Sequence, residues 1–546
     1  MTRIILIFIL CIFYFVNGFS QMTRFTRQDT LRGSVTEERK WWDLTYYHLD
    51  IIVNPDDSTI YGTNTVGYTV LERNKVMQID LQPPLELKQA IQDGEKLNIK
   101  HDGNAHFIHL IKKQKPGSRN ELKLIYGGHP RMAPRPPWSG GITWSYDEND
   151  NHWIVSTCQG TGASVWWPCK DHMYDEPDSM VISVTVPENL MDVSNGRLRK
   201  VVTNDDHTRT FHWFVSNPIN NYGVNINIGN YVHFSEQYDG AKGKLDCDYY
   251  VLPYNLEKAK EQFKQVPLML EAFEYWFGPY PFYEDGYKLV EVPYPGMEHQ
   301  SSVTYGNGYE NGYGGRDESR SGWGMKFDFI IIHESGHEWF TNNITYRDIA
   351  DMWIHESFIN YSENLYVEYH YGKKAGAEYV LGTRMNIRND RPIIGYYDVN
   401  YSGSGDMYSK GGNMLHTLRQ IVNDDLKWRN ILRDINEEFY HQTVTTQQIE
   451  NYLSEQIGID LSKFFDQYLR NVRIPVFEYS IKENELFYRW NNCVNGFDMP
   501  VKVKISGTEK WLYPTRRWAS TEIDQSNAEL AVDPNFYVAV LNITGK

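Results

Sequence analysis

The segment Ile331-Ile332-His333-Glu334-Ser335-Gly336-His337 constrains this chain more than any other. Two imidazoles stand four residues apart on an apolar run, with a carboxylate beside the first. Wound as a helix, positions i and i+4 share a face, so both rings point the same way. An apolar helix of this kind is buried by its neighbours, and buried polar groups need partners. A metal ion is such a partner. Zinc accepts nitrogen and oxygen donors in a compact tetrahedral site, and this spacing suits it.

A third donor separates a metal site from two ordinary polar residues. Glu356 lies in a second apolar and aromatic run, Met352-Trp353-Ile354-His355-Glu356-Ser357-Phe358, with eighteen residues between His337 and Glu356. His333, His337 and Glu356 would give one Zn2+ ion three protein ligands and leave a fourth position for water. That is the catalytic rather than the structural arrangement. Such an ion acidifies water and polarises a substrate carbonyl. Glu334 is not needed as a ligand, so it is the candidate general base, passing the water's proton to a leaving amine. His355 adjoins Glu356, but adjacent helical residues point about 100° apart, so it is read as structural or as support behind the ligands. The chain shows neither a Gly-x-Ser-x-Gly elbow nor a Gly-x-x-x-x-Gly-Lys phosphate loop.

Further segments extend the pattern. They are Pro295-Gly296-Met297-Glu298-His299, Tyr408-Ser409-Lys410-Gly411, Trp167-Pro168-Cys169-Lys170-Asp171 with Asp175-Glu176-Pro177, and Cys158-Gln159. With the paired-histidine motif and Trp353-Ile354-His355-Glu356-Ser357-Phe358, they resemble the zinc gluzincin aminopeptidases, the family of aminopeptidase N and the leukotriene epoxide hydrolase. The order of the motifs is the family's, and they span most of the chain. The resemblance implies that Glu298 holds the N-terminal ammonium of a peptide. It implies that Tyr408 donates its hydroxyl to the oxyanion formed on the attacked carbonyl. Gln159 would line the first substrate pocket, and Gly296 and Met297 would present backbone groups to the peptide. The chain departs from the family where Pro295 replaces a glycine, His299 an asparagine and His355 an asparagine. Proline has no backbone donor and a fixed φ, and Gly296 restores freedom beside it.

The first residues carry an address. Arg3 precedes an apolar run from Ile4 to Val16, and small residues follow up to Ser20. This reads as a signal peptide over residues 1–20, with an uncleaved anchor as the alternative, though the run is short for a spanning helix. The expected destination is the periplasm or the medium. Sequons occur at Asn343, Asn360, Asn400 and Asn542. Asn360 falls one turn after Glu356, where a glycan would crowd a buried helix, so bacterial-type export fits better than a glycosylating route. The formal charge is −16, and loss of Arg3 makes it −17. That balance argues against nucleic acid and anionic membrane as partners by bulk electrostatics. Five cysteines, one of them in the leader, show no Cys-x-x-Cys pair, so stability rests on ordinary cores.

Organisation follows periodicity. Residues 41–253 alternate as short strands; Leu49, Ile51 and Val53 are typical. Residues 254–471 are mainly helical, opening with a long pattern from Leu256 to Phe277. The glycine- and charge-rich stretch from Gly306 to Gly324 reads either as a connector or as a rim of the cleft. Thr445 and Gln448 form a capping-box pattern. Residues 472–546 return to strands. The expected fold is a multi-domain α+β chain: a β-rich N-terminal domain, a thermolysin-like zinc catalytic domain and a small C-terminal β-sandwich. Too few residues follow for the large helical C-terminal domain of many relatives.

The expected function is a zinc aminopeptidase acting on peptides with a free N-terminus. The alternatives are a zinc endopeptidase, which needs no ammonium anchor such as Glu298, and an epoxide hydrolase on the same scaffold. The resembling hydrolase carries an acid eight positions before its tyrosine, where this chain has Asn400. A non-catalytic binding protein would not require the full set of reactive groups. The motifs specify neither the preferred first residue nor an assembly.

Overall fold

The computed structural model describes residues 24–524 and 528–544. The expected signal segment lies outside them. Among the described residues, no helix is long and apolar enough to cross a membrane.

The N-terminal half is β-rich, as its alternation predicts. An eight-stranded sheet grows from the antiparallel pair Trp42–Asn54 and Thr59–Val70. Ser179–Pro187 joins one side in parallel and Arg119–Gly128 the other side antiparallel. Leu49, Ile51 and Val53 are at most 1 % exposed, while Ile52 between them is 55 % exposed. The period of two therefore buries one face and leaves the other to solvent. A four-stranded sheet includes His152–Thr157, which delivers Cys158-Gln159 to the interface with the helical half. All four cysteines among the described residues are buried free thiols.

The division expected at 253/254 cuts across a five-stranded sheet. Its order is Val232–Gly240, Gly243–Val251, Tyr287–Glu291, Val303–Tyr305, Gly296–Met297. Gly243–Val251 pairs in parallel with Tyr287–Glu291. By hydrogen bonding, the strands from Val232 onward go with the residues that follow them, and alternation alone cannot assign a strand to a sheet. The long pattern from Leu256 to Phe277 forms two helices, Leu256–Gln262 and Gln265–Phe277. Pro267 cannot donate to the carbonyl of Phe263, and its ring would clash there, so the helix restarts. The helix Thr446–Ile457 opens on the expected Thr445–Gln448 capping box.

The C-terminal strands form a four-stranded and a three-stranded sheet. Their core residues, including Phe477 and Trp490, join the catalytic core in one continuous cluster. Arg384 donates to Pro534 O (2.7 Å) and Tyr468 to Tyr537 O (2.8 Å), tying this sandwich to the helices behind the cleft.

Candidate active site

The motif helix is Phe329–Gly336. Asp328 caps it, accepting from the amides of Ile330 (3.1 Å) and Ile331 (3.4 Å). The cap is itself fixed, since Tyr305 OH and Gln262 Nε2 each reach Asp328 Oδ2 at 2.7 Å. A buried carboxylate this well satisfied anchors the first turn, where four amides lack intrahelical partners. The regular helix ends at the second histidine. Asn342 N then bonds to His337 O (3.0 Å) and Asn343 N to Glu338 O (3.1 Å), a wide i→i+5 turn. Such turns concentrate at functional sites. This one brings Thr341 Oγ1 to 2.7 Å from His337 Nδ1.

The facing helix, Trp353–Tyr371, carries Glu356, Asn360 and Glu363 at i, i+4 and i+7, on one face. Glu356 Oε2 lies 3.6 Å from His337 Nε2 and 3.9 Å from His333 Nε2. A tetrahedral ion held at 2.0–2.2 Å separates its donors by roughly 3.3–3.6 Å, so small shifts bring all three onto one ion. Glu356 Oε2 is also buried with no hydrogen-bond partner among the described residues. An orphaned carboxylate oxygen facing two imidazole nitrogens fits a cation. Glu298, Glu334 and His337 also offer atoms within 4.8 Å of one another. Glu298, however, is already engaged elsewhere, and Glu334 is not needed as a third donor. The residues therefore fit zinc on His333, His337 and Glu356.

Groups behind the ligands orient them. His333 Nδ1 lies 2.8 Å from Glu363 Oε1, and Tyr379 OH donates to Glu363 Oε2 at 2.6 Å. Burial alone would depress His333, but the Glu363 bond and the surrounding carboxylates hold it up, at about 9. Burial, then the neighbouring carboxylates, push Glu334 and Glu356 up to about 8, against the pull of His333. Four carboxylates, Glu298, Glu334, Glu356 and Glu363, thus crowd one buried site, a field that a divalent cation would relieve. His355 takes no part. Its Nε2 accepts from Tyr346 N (2.9 Å) and its ring stacks on Tyr346 at 4.1 Å, away from the ligands.

The remaining expected residues converge on one cleft of about 850 Å³, lined by Gln159, Gly296, Met297, Glu298, Glu334 and Tyr408 among others. Glu298 is 3 % exposed. Its Oε1 accepts from Gln159 Nε2 (2.6 Å) and Tyr222 OH (3.2 Å), and Asn342 Nδ2 holds its backbone carbonyl (3.0 Å). Gly296–Met297 is the edge strand of the five-stranded sheet. A Cβ on Gly296 would lie 2.6 Å from Ile330 Cγ2 and 3.0 Å from Glu334 Cγ, so only glycine lets this edge approach the motif helix. Tyr408, just before the helix Ser409–Val422, is 37 % exposed on the cleft wall, its ring 6.2 Å from that of His333. Desolvation within the cleft, then the facing Glu356 carboxylate, push its phenol well above the usual range, so it stays a donor.

Comparison with known proteins supplies the lineage. Residues 44–222 match the peptidase M1 N-terminal domain and residues 261–468 the peptidase family M1 domain. The chain belongs to peptidase family M1. Within M1, it is 20 % identical over 478 residues to probable aminopeptidase 1 of Sulfurisphaera tokodaii, covering 83 % of this chain and 57 % of that one. It is 20 % identical over 439 residues to the leucyl aminopeptidase of Saccharolobus solfataricus, covering 76 % and 52 %. The chain thus spans just over half the length of these M1 relatives. The fold resembles the M1 zinc metallopeptidase of Deinococcus radiodurans, with a TM-score of 0.66, 19 % identity, and coverage of 80 % of this chain and 95 % of that one.

Three residues of this M1 site escaped the sequence reading. Glu363 had a signal, seven positions after Glu356 on the same helix face. Thr341 reaches His337 only through the wide turn, which periodicity does not show. Tyr222 comes to Glu298 from 76 residues away, with no local mark.

Proposed function

We propose that this protein is a zinc-dependent aminopeptidase with one Zn2+ ion, removing single residues from peptides that have a free N-terminus. The observation that carries this reading is the position of Glu298, a buried carboxylate held by Gln159 and Tyr222 within 4.8 Å of Glu334 and His337. A substrate ammonium seated on Glu298 leaves room for one residue before the reacting carbonyl.

The chain's own groups divide the work. Glu298 and Gln159 hold the ammonium and set which bond is presented. The Gly296–Met297 edge offers backbone groups to the extended peptide. Glu334 takes a proton from the attacking water at its carboxylate and delivers it to the leaving nitrogen. Tyr408 donates its O–H to the carbonyl oxygen as charge builds there. His333, His337 and Glu356 would hold the zinc ion, which would polarise the carbonyl and acidify the water.

Two features weigh against the alternatives. Glu298 gives the cleft a buried carboxylate suited to an ammonium, an anchor that an endopeptidase does not need. Asn400, where an epoxide hydrolase of this lineage carries an acid, is an amide whose Nδ2 donates to Gly160 O (3.1 Å). The test is hydrolysis of a panel of aminoacyl amides before and after chelation. The expected result is turnover lost to the chelator and restored by zinc; turnover indifferent to metal would overturn the reading.

We also propose export to the periplasm or medium. Arg3 and the apolar run to Val16 support it, and the buried sequon residues Asn343 and Asn360, 1 % and 8 % exposed, favour a route that does not glycosylate. N-terminal sequencing of the exported protein should begin near Gln21; an intact Met1 would count against cleavage.

A further inference from the structure

A second groove, of about 660 Å³, adjoins the cleft and shares Trp138, Pro295 and Tyr313 with it. It lies between the loop 131–138 of the N-terminal domain and the glycine-rich stretch that follows Gly306. That stretch is therefore a rim and not a mere connector.

The direction of a bound peptide follows from the aminopeptidase reading, on which this inference rests. With the ammonium on Glu298, a peptide leaving the site runs past Met297, then Gly296, then Pro295. It runs antiparallel to the edge strand, as a pairing peptide must when its N-terminus lies at that strand's C-terminal end. At Pro295 the ladder stops. Proline has no amide hydrogen, and Pro295 O already accepts from Gly306 N at 2.7 Å. From its third residue onward, the peptide meets side chains instead of a strand edge.

Those side chains carry a charge pattern unlike the catalytic cleft. Arg135 lies over the ring of Trp138 at 4.9 Å, and Trp138 is 59 % exposed. Arg316 lies over Tyr313 at 6.0 Å. Among the described residues neither guanidinium forms an ion pair, and Glu310 is the one acid in the lining. In a chain of net charge −16, two unpaired arginines lining one groove are an anion site in form. Their planar forks match a carboxylate, and the rings beneath restrain them without neutralising them.

We infer that Arg135 and Arg316 bind a substrate carboxylate at or beyond the third residue, either the C-terminus of a short peptide or an acidic side chain of a longer one. The probes are a tripeptide as free acid and as C-terminal amide, and a pentapeptide amide with Glu or Gln at its third position. The proteins are the parent, Arg135→Gln/Arg316→Gln, and Arg135→Lys/Arg316→Lys.

The parent should prefer at least one carboxylate-bearing partner by about five- to twentyfold in kcat/KM, mainly through KM. The glutamine pair should lose most of that preference and the lysine pair keep part of it. All three should hydrolyse an aminoacyl anilide alike, because it has no downstream residues. Which peptide pair responds identifies the carboxylate. Equal rates on acid and amide partners in the parent, or a preference that survives in the glutamine pair, would overturn the inference. If the parent leaves the anilide intact, the aminopeptidase reading itself fails. The groove is then read by calorimetric titration of the same peptide pairs into Glu334→Gln protein, where equal affinities would overturn it.

Discussion

His333 Nδ1 and Glu363 Oε1 lie 2.8 Å apart, both side chains at most 9 % exposed. An ionised carboxylate only accepts, so Nδ1 keeps its hydrogen, and Nε2, which faces Glu356 and the cleft, is the nitrogen that would give up its proton to a metal ion. The Glu363 bond thus orients His333 for ligation. Glu363→Gln keeps an acceptor oxygen but removes the charge, and should weaken zinc binding by about 10–100-fold. Competition with a metal chelator measures this. Unchanged affinity would reduce Glu363 to a packing residue.

Glu334 stands beside the ligands without being needed among them. Glu334→Gln should therefore retain full zinc occupancy while kcat falls by about 10²–10⁴. Metal analysis with steady-state kinetics on the same preparation decides it. Activity within a few-fold of the parent would remove the general-base role.

Tyr408 stays protonated because desolvation in the cleft and the Glu356 carboxylate disfavour the phenolate. A donor aimed at developing negative charge acts mainly in the transition state. Tyr408→Phe should lower kcat by about 10²–10³ and change KM little. A change confined to KM would make it a binding residue.

Gly296 touches the reacting machinery through the side chain it lacks. In Gly296→Ala, the new methyl meets Ile330 and Glu334 Cγ, so the strand edge or the base must move. Displacements of about 1 Å can cost about 10²-fold in rate. We expect kcat/KM to fall by about ten- to a hundredfold with zinc content unchanged. Wild-type kinetics would show that the edge strand has slack.

The parts of this site legible in the sequence are those set by helical spacing or by motif. His333, Glu334 and His337 follow from i,i+4 geometry, and Glu356 from a carboxylate placed among apolar neighbours. His355 stays outside the ligand set because adjacent helical residues diverge, and its ring packs on Tyr346 instead. The resemblance named Glu298 and Gln159; their 2.6 Å contact joins residues 139 apart in sequence and has no local signature. The sheet that binds Val232–Val251 to the catalytic half was hidden for a similar reason. Alternation identifies a strand, but its partner is chosen by packing many residues away.

The central claim is that Glu298 counts residues from the N-terminus. Acetylating the substrate amine removes the positive charge and leaves the buried Glu298 carboxylate unpaired, a loss of about 2–5 kcal/mol, or roughly thirty- to several-thousand-fold. The decisive measurement is kcat/KM for matched free and N-acetylated peptides, on the parent and on Glu298→Ala. The parent should release single residues from the free peptide and reject the acetylated one. Glu298→Ala should lose most activity on the free peptide together with its preference for a free amine. Equal cleavage of both peptides by the parent, especially at internal bonds, would contradict the account.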